Sequence, residues 1–373
     1  MPSSTSSSDR PGLRLTASNR PGVAQPVPER DIPERPWRPI FVAAFGVFLL
    51  LLGAWETYWR AYGVVPSYRN DDGAWAIERR RIDEGEGGKT VLIGSSRMLF
   101  DIQLPVWERI AGERPIQLAI EGTSPVPILE DLADDPAFTG RVLVGVAPDI
   151  FFTGFAAQAK VVGYFHKESP AQRAGSWLSR RLVEPYLAYY DPDFALATVI
   201  RRQAWPQRMK TGTRVRKLRN CGADRNTQMW DKVASDPDYR AMARAIWAED
   251  FDDVPPDMAT AELRQKKFDE QIDKAVKAVG TLRARGVKVV FVRMPSAGDY
   301  YAHEQKYFPR AATWEPLLQK TGAPGLHFED HAEMQGYYLP EWSHMSAPEA
   351  VRFTAAFTPL ALRTLGLPAA AGY

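Results

Sequence analysis

The sequence has a single cysteine, Cys221, which excludes an internal disulfide, a zinc site built on cysteines and an iron–sulfur cluster. It also lacks a charge excess, with 47 basic against 45 acidic residues, whereas a dedicated nucleic-acid-binding protein needs many surplus cations. It contains neither a Walker A loop nor a Gly-x-Gly-x-x-Gly fingerprint, so nucleotide binding has no support. With 45% hydrophobic and 25% charged residues, wholesale disorder and a polytopic membrane protein are both excluded.

The N-terminal region combines a polar tail with an apolar segment. Residues 1–36 are rich in Ser, Pro and Gly without hydrophobic periodicity, which predicts a disordered tail. Residues 37–60 contain an uncharged run from Pro39 to Trp55, flanked by aromatic residues that suit a membrane interface. A signal peptide fits poorly because no small-x-small cleavage site follows, and a buried helix is rarely apolar on every face. The segment therefore predicts a transmembrane anchor.

The arginines around this segment predict its orientation. Only Arg60 and Arg69 follow it closely. The positive-inside bias then keeps the tail in the cytoplasm and exports residues 61–373. The arginines that precede the segment are Arg10, Arg14, Arg20, Arg30, Arg35 and Arg38.

Residues 61–373 alternate between helical patterns and short β-branched runs, which is typical of an α/β domain with a parallel sheet covered by helices on both faces. Residues 150–257 interrupt this rhythm and are interpreted as a large, mainly helical insertion. The predicted strands are residues 90–93, 116–120, 141–146, 287–292 and 326–328, and the predicted helices are residues 72–84, 104–111, 127–133 and 259–285.

Polar or flexible residues follow three of the predicted strands, where ligands of open α/β sheets bind. The first strand runs into Gly94-Ser95-Ser96-Arg97, the second is followed by Gly122, and the third by Asp149. Such residues also form ordinary turns, so each signal is modest by itself.

A further pattern lies near the C-terminus, where Glu341 precedes His344 by three residues and can orient its imidazole. Ser346 and Glu349 fit a capping box, which predicts a helix that starts there and leaves His344 on a loop.

Together these blocks, in this chain order, resemble the SGNH/GDSL hydrolase superfamily, and more narrowly the membrane-anchored SGNH-like proteins of bacterial envelopes, of the alginate O-acetylation and teichoic-acid D-alanylation type. The resemblance covers about residues 88–150 and 260–365, outside the insertion, and implies a three-layer α/β/α sandwich. It also implies that Ser96 is the nucleophile, His344 the general base and Glu341 its orienting acid. The backbone amides of Ser96 and Gly122 would form the oxyanion hole.

The sequence departs from that family in two respects. The family acid is usually Asp rather than Glu, and the family has an Asn oxyanion donor after the third strand, where this chain has Asp149 and no Asn. Arg97 is one substitute donor, and its alternative role is an ion pair with Asp101 or Asp149.

The expected function is an envelope serine esterase or acyltransferase that acts on O-acyl groups, most plausibly O-acetyl groups, of an exported polysaccharide. The resemblance implies a bacterial inner-membrane protein with a periplasmic domain and a membrane-bound O-acyltransferase as partner, without cofactor or metal. The alternatives are an inactive SGNH-like subunit that binds glycan or scaffolds a polysaccharide complex, and a plain periplasmic lipid esterase.

Two further sequence features each have more than one interpretation. The basic run of residues 201–219, with Trp205, suits an anionic glycan or lipid headgroups, but equally a solvated face pairing with the acidic residues 249–257. His327, Asp330 and His331 have a spacing that suits a metal, but no other ligand type converges on them, so surface residues are expected.

Overall fold

The computed structural model describes residues 35–202, 217–249, 251 and 255–370. The chain divides into two units, Met1–Trp55 and Glu56–Tyr373. The predicted disordered tail lies outside the described residues except for its last two positions, 35 and 36.

Helix α1, Trp37–Ala61, contains the apolar segment. Among the described residues it is the one helix long and apolar enough to cross a membrane. The side chains of Phe41, Val42 and Leu50 along it are exposed. The length and composition of this helix therefore agree with the predicted anchor, although a signal sequence or a core helix has the same composition.

The second unit contains a five-stranded, fully parallel sheet in the order β2-β1-β3-β6-β7. In an open sheet of this order, successive strands are added on one side of β1 and then on the other. The strand order therefore reverses between β1 and β3, and ligands bind outside the carboxyl ends of those two strands. The strands are β1 Thr90–Ile93, β2 Ile116–Gln117, β3 Arg141–Val146, β6 Lys288–Arg293 and β7 Gly325–His327, and a separate antiparallel hairpin is formed by β4 Arg219–Cys221 and β5 Thr227–Met229.

All five predicted strands are present, but the second is shorter than expected. Leu118 and Ile120 still donate to backbone carbonyls of the neighbouring strand segment. The carbonyls of Gln117 and Ala119, on the outer side, accept instead from the buried guanidinium of Arg225. The insertion therefore takes the place of a further strand at this edge.

Helices cover both faces of the sheet, as predicted. Val91, Val144 and Phe291 belong to one buried cluster with α5 and α12, whereas Leu92 and Val290 belong to a second with α4 and α15. The helices of this unit are α2 Asp72–Arg81, α3 Ser96–Asp101, α4 Leu104–Ala111, α5 Val126–Asp134, α6 Pro148–Phe151, α7 Lys160–Lys167, α8 Pro170–Leu182, α9 Leu196–Arg202, α10 Asp231–Ser235, α11 Pro237–Ala248, α12 Ala261–Ala284, α13 Gly298–Tyr307, α14 Trp314–Thr321 and α15 Ala347–Leu365.

The described part of residues 150–257 contains helices α7 to α11 and also the hairpin β4–β5, which the sequence patterns did not predict. Most of the basic run lies outside the described residues. Its described members are Arg201, Arg202, Lys217 and Arg219, and the last three form ion pairs with Asp193, Asp191 and Glu121 in that order.

Candidate active site

The end of β1 is shaped by a close approach of two backbones. A Cβ on Gly94 would lie 2.8 Å from the Cβ of Met98 and 3.1 Å from the Cα of Gly145 on β3, so only glycine fits there. Ser95 then forms the N-cap of α3, and Ser96 is the first residue of that helix. The predicted nucleophile therefore lies at the carboxyl end of β1, beside the point where the strand order reverses.

Glu341 and His344 form the pair predicted from their spacing. The Oε1 atom of Glu341 lies 2.7 Å from Nδ1 of His344 and also accepts the backbone N–H of His344 at 2.7 Å. Both side chains are fully buried, although they lie on a loop. Because Nδ1 faces a carboxylate, the proton of a neutral imidazole belongs there, which leaves Nε2 as the basic atom.

The loop that carries this pair is held in a strained conformation. Trp342, between the two residues, has a φ of 75°, which is rare for a bulky side chain. Its carbonyl accepts from Ala297 at 2.8 Å, and its ring lies beneath the guanidinium of Arg244. Arg244 also donates to the carbonyl of Pro340 at 2.8 Å. Helix α11 of the insertion therefore fixes the loop from outside.

The helix that follows this loop starts at Ala347, but the predicted capping box is wrong. Ser346 is the N-cap residue and its side chain makes no capping hydrogen bond. The Glu349 carboxylate accepts instead from the backbone of Tyr338 and from Arg352. These competing donors explain why the reciprocal contact does not form.

Helix α3 packs directly on the Glu341–His344 loop. The ring of Phe100 stacks on His344 with 4.4 Å between centroids, and Asp101 accepts the backbone N–H of Met345 at 2.9 Å. Ser96 precedes Phe100 by four residues and so lies on the same face of the helix, one turn away. Ser96 and His344 thus share Phe100 as a neighbour, Ser96 along the helix and His344 through ring stacking. Within the described residues, His344 Nε2 is buried without a hydrogen-bond partner, Ser96 Oγ included.

Arg97 has a different partner from those considered in the sequence. Its guanidinium forms a buried ion pair with Glu304, at 2.8 Å, and donates to Ser343 at 3.2 Å. Glu304 also binds Arg293 at 2.6 Å. Burial alone would lower the pKa of Arg97, but its carboxylate neighbours, Glu304 foremost, raise it above its ordinary value. Arg97 is therefore a buried cation held by Glu304 and Ser343, while its Nη2 has no hydrogen-bond partner among the described residues.

Asp149 follows β3 on the other side of the strand reversal. Its Oδ2 accepts the Tyr300 hydroxyl at 2.6 Å, whereas its buried Oδ1 has no hydrogen-bond partner in the described part of the chain. Burial and the nearby Glu304 carboxylate raise the pKa of Asp149. A protonated Asp149 could donate a hydrogen bond, which an ionised one cannot.

A cavity of about 500 Å³ opens beside these residues. Gly122, with a φ of 56°, and Asp149 line it, whereas Ser96 and His344 do not. Seven of its sixteen lining residues have aromatic rings, His303 included, and Trp247 links the cavity to the buried pair because the indole N–H donates to Oε2 of Glu341 at 2.5 Å. The other aromatic walls are Phe155, Phe251, Tyr300, His303, Tyr307 and Phe308.

Sequence reasoning missed Trp247, Tyr300 and Glu304. Trp247 lies in the insertion, and the other two lie on α13, which carries no recognisable motif. Each reaches the site through contacts between residues far apart in the chain, so no local spacing could have revealed them.

The residues weighed as metal ligands adopt other roles. Burial lowers the pKa of His327 to about 3, and its Nδ1 accepts the backbone N–H of Glu329. Asp330 pairs with Arg310 at 2.7 Å. Among the described residues, no group of three or more His, Cys, Asp or Glu side chains has the arrangement of a metal site.

No protein-family model matches the chain, and no curated protein matches it. The chemistry of the site is therefore inferred from its geometry alone.

Proposed function

We propose that the protein is a serine esterase or acyltransferase of the SGNH-like type, with Ser96 as nucleophile, His344 as general base and Glu341 as the acid that orients it. The observation that carries this proposal is the buried 2.7 Å contact between Glu341 and His344 Nδ1, with Nε2 unpaired and the imidazole stacked on Phe100, one helical turn from Ser96 in α3. A histidine kept in this tautomer is suited to remove the proton of a serine hydroxyl, which is otherwise a poor nucleophile.

In the proposed reaction, Ser96 Oγ forms a bond to the carbonyl carbon of an acyl ester while its proton passes to His344 Nε2. The ester's alcohol leaves with that proton. A glycan hydroxyl or water then loses its proton to Nε2 and attacks the acyl-enzyme, which restores Ser96. The backbone N–H groups of Ser96 and Gly122 would stabilise the oxyanion in both steps.

The substrate we propose is the O-acyl group, O-acetyl in particular, of an exported polysaccharide. The aromatic cavity beside the pair supports a sugar ligand, because aromatic faces bind the apolar faces of sugar rings. The carboxyl group of Asp149 in its wall is suited to accept hydrogen bonds from sugar hydroxyl groups. A bacterial inner-membrane location fits the arginine bias around α1, with the tail cytoplasmic and the second unit periplasmic. A membrane-bound O-acyltransferase is the partner we propose as acyl donor.

Covalent labelling by a fluorophosphonate tests the nucleophile. Wild type and Ser95→Ala should label, since the Ser95 side chain makes no capping hydrogen bond, whereas Ser96→Ala should not. Thermal unfolding of all three proteins controls for folding. Persistent labelling of a folded Ser96→Ala variant would show that Ser96 is not the nucleophile.

A second candidate is an inactive subunit that binds glycan or scaffolds a polysaccharide complex. The contacts of Arg97 with Glu304 and Ser343 favour it, because they hold the substitute oxyanion donor in a structural role. Glycan binding that survives Ser96→Ala, together with an unlabelled wild type and no turnover of any acyl ester, would select this candidate. Turnover of long-chain esters without activity on acetylated glycans would indicate a lipid esterase instead.

A further inference from the structure

Helix α8 has its polar side packed against the protein and its apolar side exposed. None of its residues is buried. On the packed side, Ser176 lies against Gly73, and Ser179 donates to a carboxylate of the following segment at 2.7 Å. Leu178 and Leu182, on the other side, are 46% and 60% exposed. A surface helix of a water-soluble domain normally does the reverse and buries its apolar stripe.

The segments after α8 continue this exposure. Tyr186 is 64% exposed, and Leu196 is 56% exposed on α9, a helix that also has no buried residue. These side chains and those of α8 form what we term the apolar face: Trp177, Leu178, Leu182, Tyr186 and Leu196. Several large apolar side chains exposed on consecutive segments indicate an interaction surface.

The segment that carries this face is attached to the last turns of α1. The carboxylate of Glu56 accepts the backbone N–H groups of Ala188 and Tyr189 at 2.9 and 3.0 Å. Arg60 donates to the carbonyl of Tyr186 at 2.8 Å. Glu56 directly follows the uncharged run, and residues 56–60 of a helix extend only about 8 Å along its axis. The apolar face therefore begins close to the point where the chain leaves the apolar part of α1.

The charges of α8 identify the occupant. Its sequence contains Arg173, Arg180 and Arg181 and no acidic residue. Arg181 lies one helical turn from both Trp177 and Leu178, whereas Arg173 and Arg180 pair with Glu168 and Glu184. Leucine, tryptophan and arginine on the exposed side of a helix is the composition of helices that lie in a lipid–water interface, where the apolar side chains enter the headgroup boundary. Arginines near that boundary are attracted to anionic headgroups, and tryptophan is favoured there. A protein partner would not require this combination.

We propose that the apolar face lies on the surface of the bilayer that α1 enters, with α8 in the plane of the lipid–water interface. The catalytic unit is then held to the membrane by a surface as well as by its helix. This contact fixes which side of the unit faces the lipid. It does not depend on the proposed catalytic activity.

Fluorescent probes in the full-length chain test this contact. In a Cys221→Ser background, Leu178→Cys and Leu182→Cys are labelled with an environment-sensitive dye. Asp273→Cys, whose position is 72% exposed on α12 and outside the apolar face, is the control. The proteins are reconstituted in vesicles of phosphatidylethanolamine and phosphatidylglycerol. We expect brominated lipids to quench the dyes at 178 and 182 but not at 273, with aqueous iodide quenching several-fold weaker at 178 and 182.

Three outcomes would overturn the proposal. Equal iodide quenching at all three positions would show that the apolar face remains in water. Shielding from iodide without quenching by brominated lipids would show that a protein, such as a second copy of this chain, covers the face. Release of the full-length chain from the vesicles by alkaline carbonate would show that α1 does not insert, which removes the bilayer as occupant.

Discussion

Replacing Trp247 by Phe should slow the activation of Ser96 without unfolding the protein. The indole N–H is the donor to Oε2 of Glu341, at 2.5 Å, while Oε1 remains held by the backbone and imidazole of His344. Phenylalanine keeps an aromatic ring in the cavity wall but removes that donor. The buried carboxylate then has one oxygen without its partner.

The size of the effect follows from the charge of the acceptor. A hydrogen bond to a charged group contributes about 1.5–3 kcal/mol. If all of this free energy is lost from the transition state when the donor is removed, the rate of Ser96 labelling falls about 10- to 150-fold. Because Oε1 keeps both of its donors, we expect the lower part of this range.

The assay is the second-order rate constant for fluorophosphonate labelling, with the thermal midpoint measured in parallel. Trp230→Phe is the matched control, since the Trp230 indole donates to the carbonyl of Gly63, away from the pair. We expect labelling to slow for Trp247→Phe alone. An unchanged rate, or an equal fall in both variants, would refute the reasoning, because the effect would then be absent or due to packing.

Two further substitutions test the surroundings of the site. Burial raises the pKa of Asp101 to about 7, so the folded state holds its proton more tightly than the unfolded chain, whose value is about 3.9. The contribution of Asp101 to the free energy of unfolding therefore falls from pH 4 to pH 7, and Asp101→Asn should be more stable than wild type at pH 8 but not at pH 4, as measured by urea unfolding. Gly94→Ala should lose about 1–3 kcal/mol in the same assay, because its Cβ would lie 2.8 Å from that of Met98. Gly280→Ala, whose added Cβ meets no atom within 4 Å, is the control and should not be destabilised; if both variants lose equally, the close approach is not the cause.

The parallel sheet could be predicted because its strands are short β-branched runs, buried on both faces and separated by helical patterns. The Glu341–His344 contact could be predicted for a similar reason, since it joins residues three apart in the chain. Contacts between residues close in the chain can be predicted, because the spacing of those residues is visible in the sequence. The Ser346 capping box, also local, failed because Tyr338 and Arg352 compete for Glu349.

The contacts that complete the site could not be predicted. Trp247 reaches Glu341 across 94 residues, and the partner of Arg97 lies on α13. Which distant residues meet depends on how the insertion packs on the sheet, and no periodicity encodes that packing. The contact of Arg225 with the outer carbonyls after β2 has the same origin, because Arg225 belongs to the insertion.

The two halves of the proposed chemistry differ in how completely the chain supplies them. The base is assembled, since Glu341 and Trp247 fix a buried imidazole whose Nε2 is unpaired. Oxyanion stabilisation is weaker, because the chain has no Asn after β3 and Arg97 is held by Glu304 and Ser343, and the loss of one donor costs about 10²–10³ in rate. Attack by water and attack by a sugar hydroxyl need the same oxyanion, so both are slowed equally. Only a sugar hydroxyl held beside the acyl group would gain a high effective concentration. Since neither Ser96 nor His344 lines the aromatic cavity, faster transfer to a glycan than to water would show that a sugar bound there reaches the acyl-enzyme.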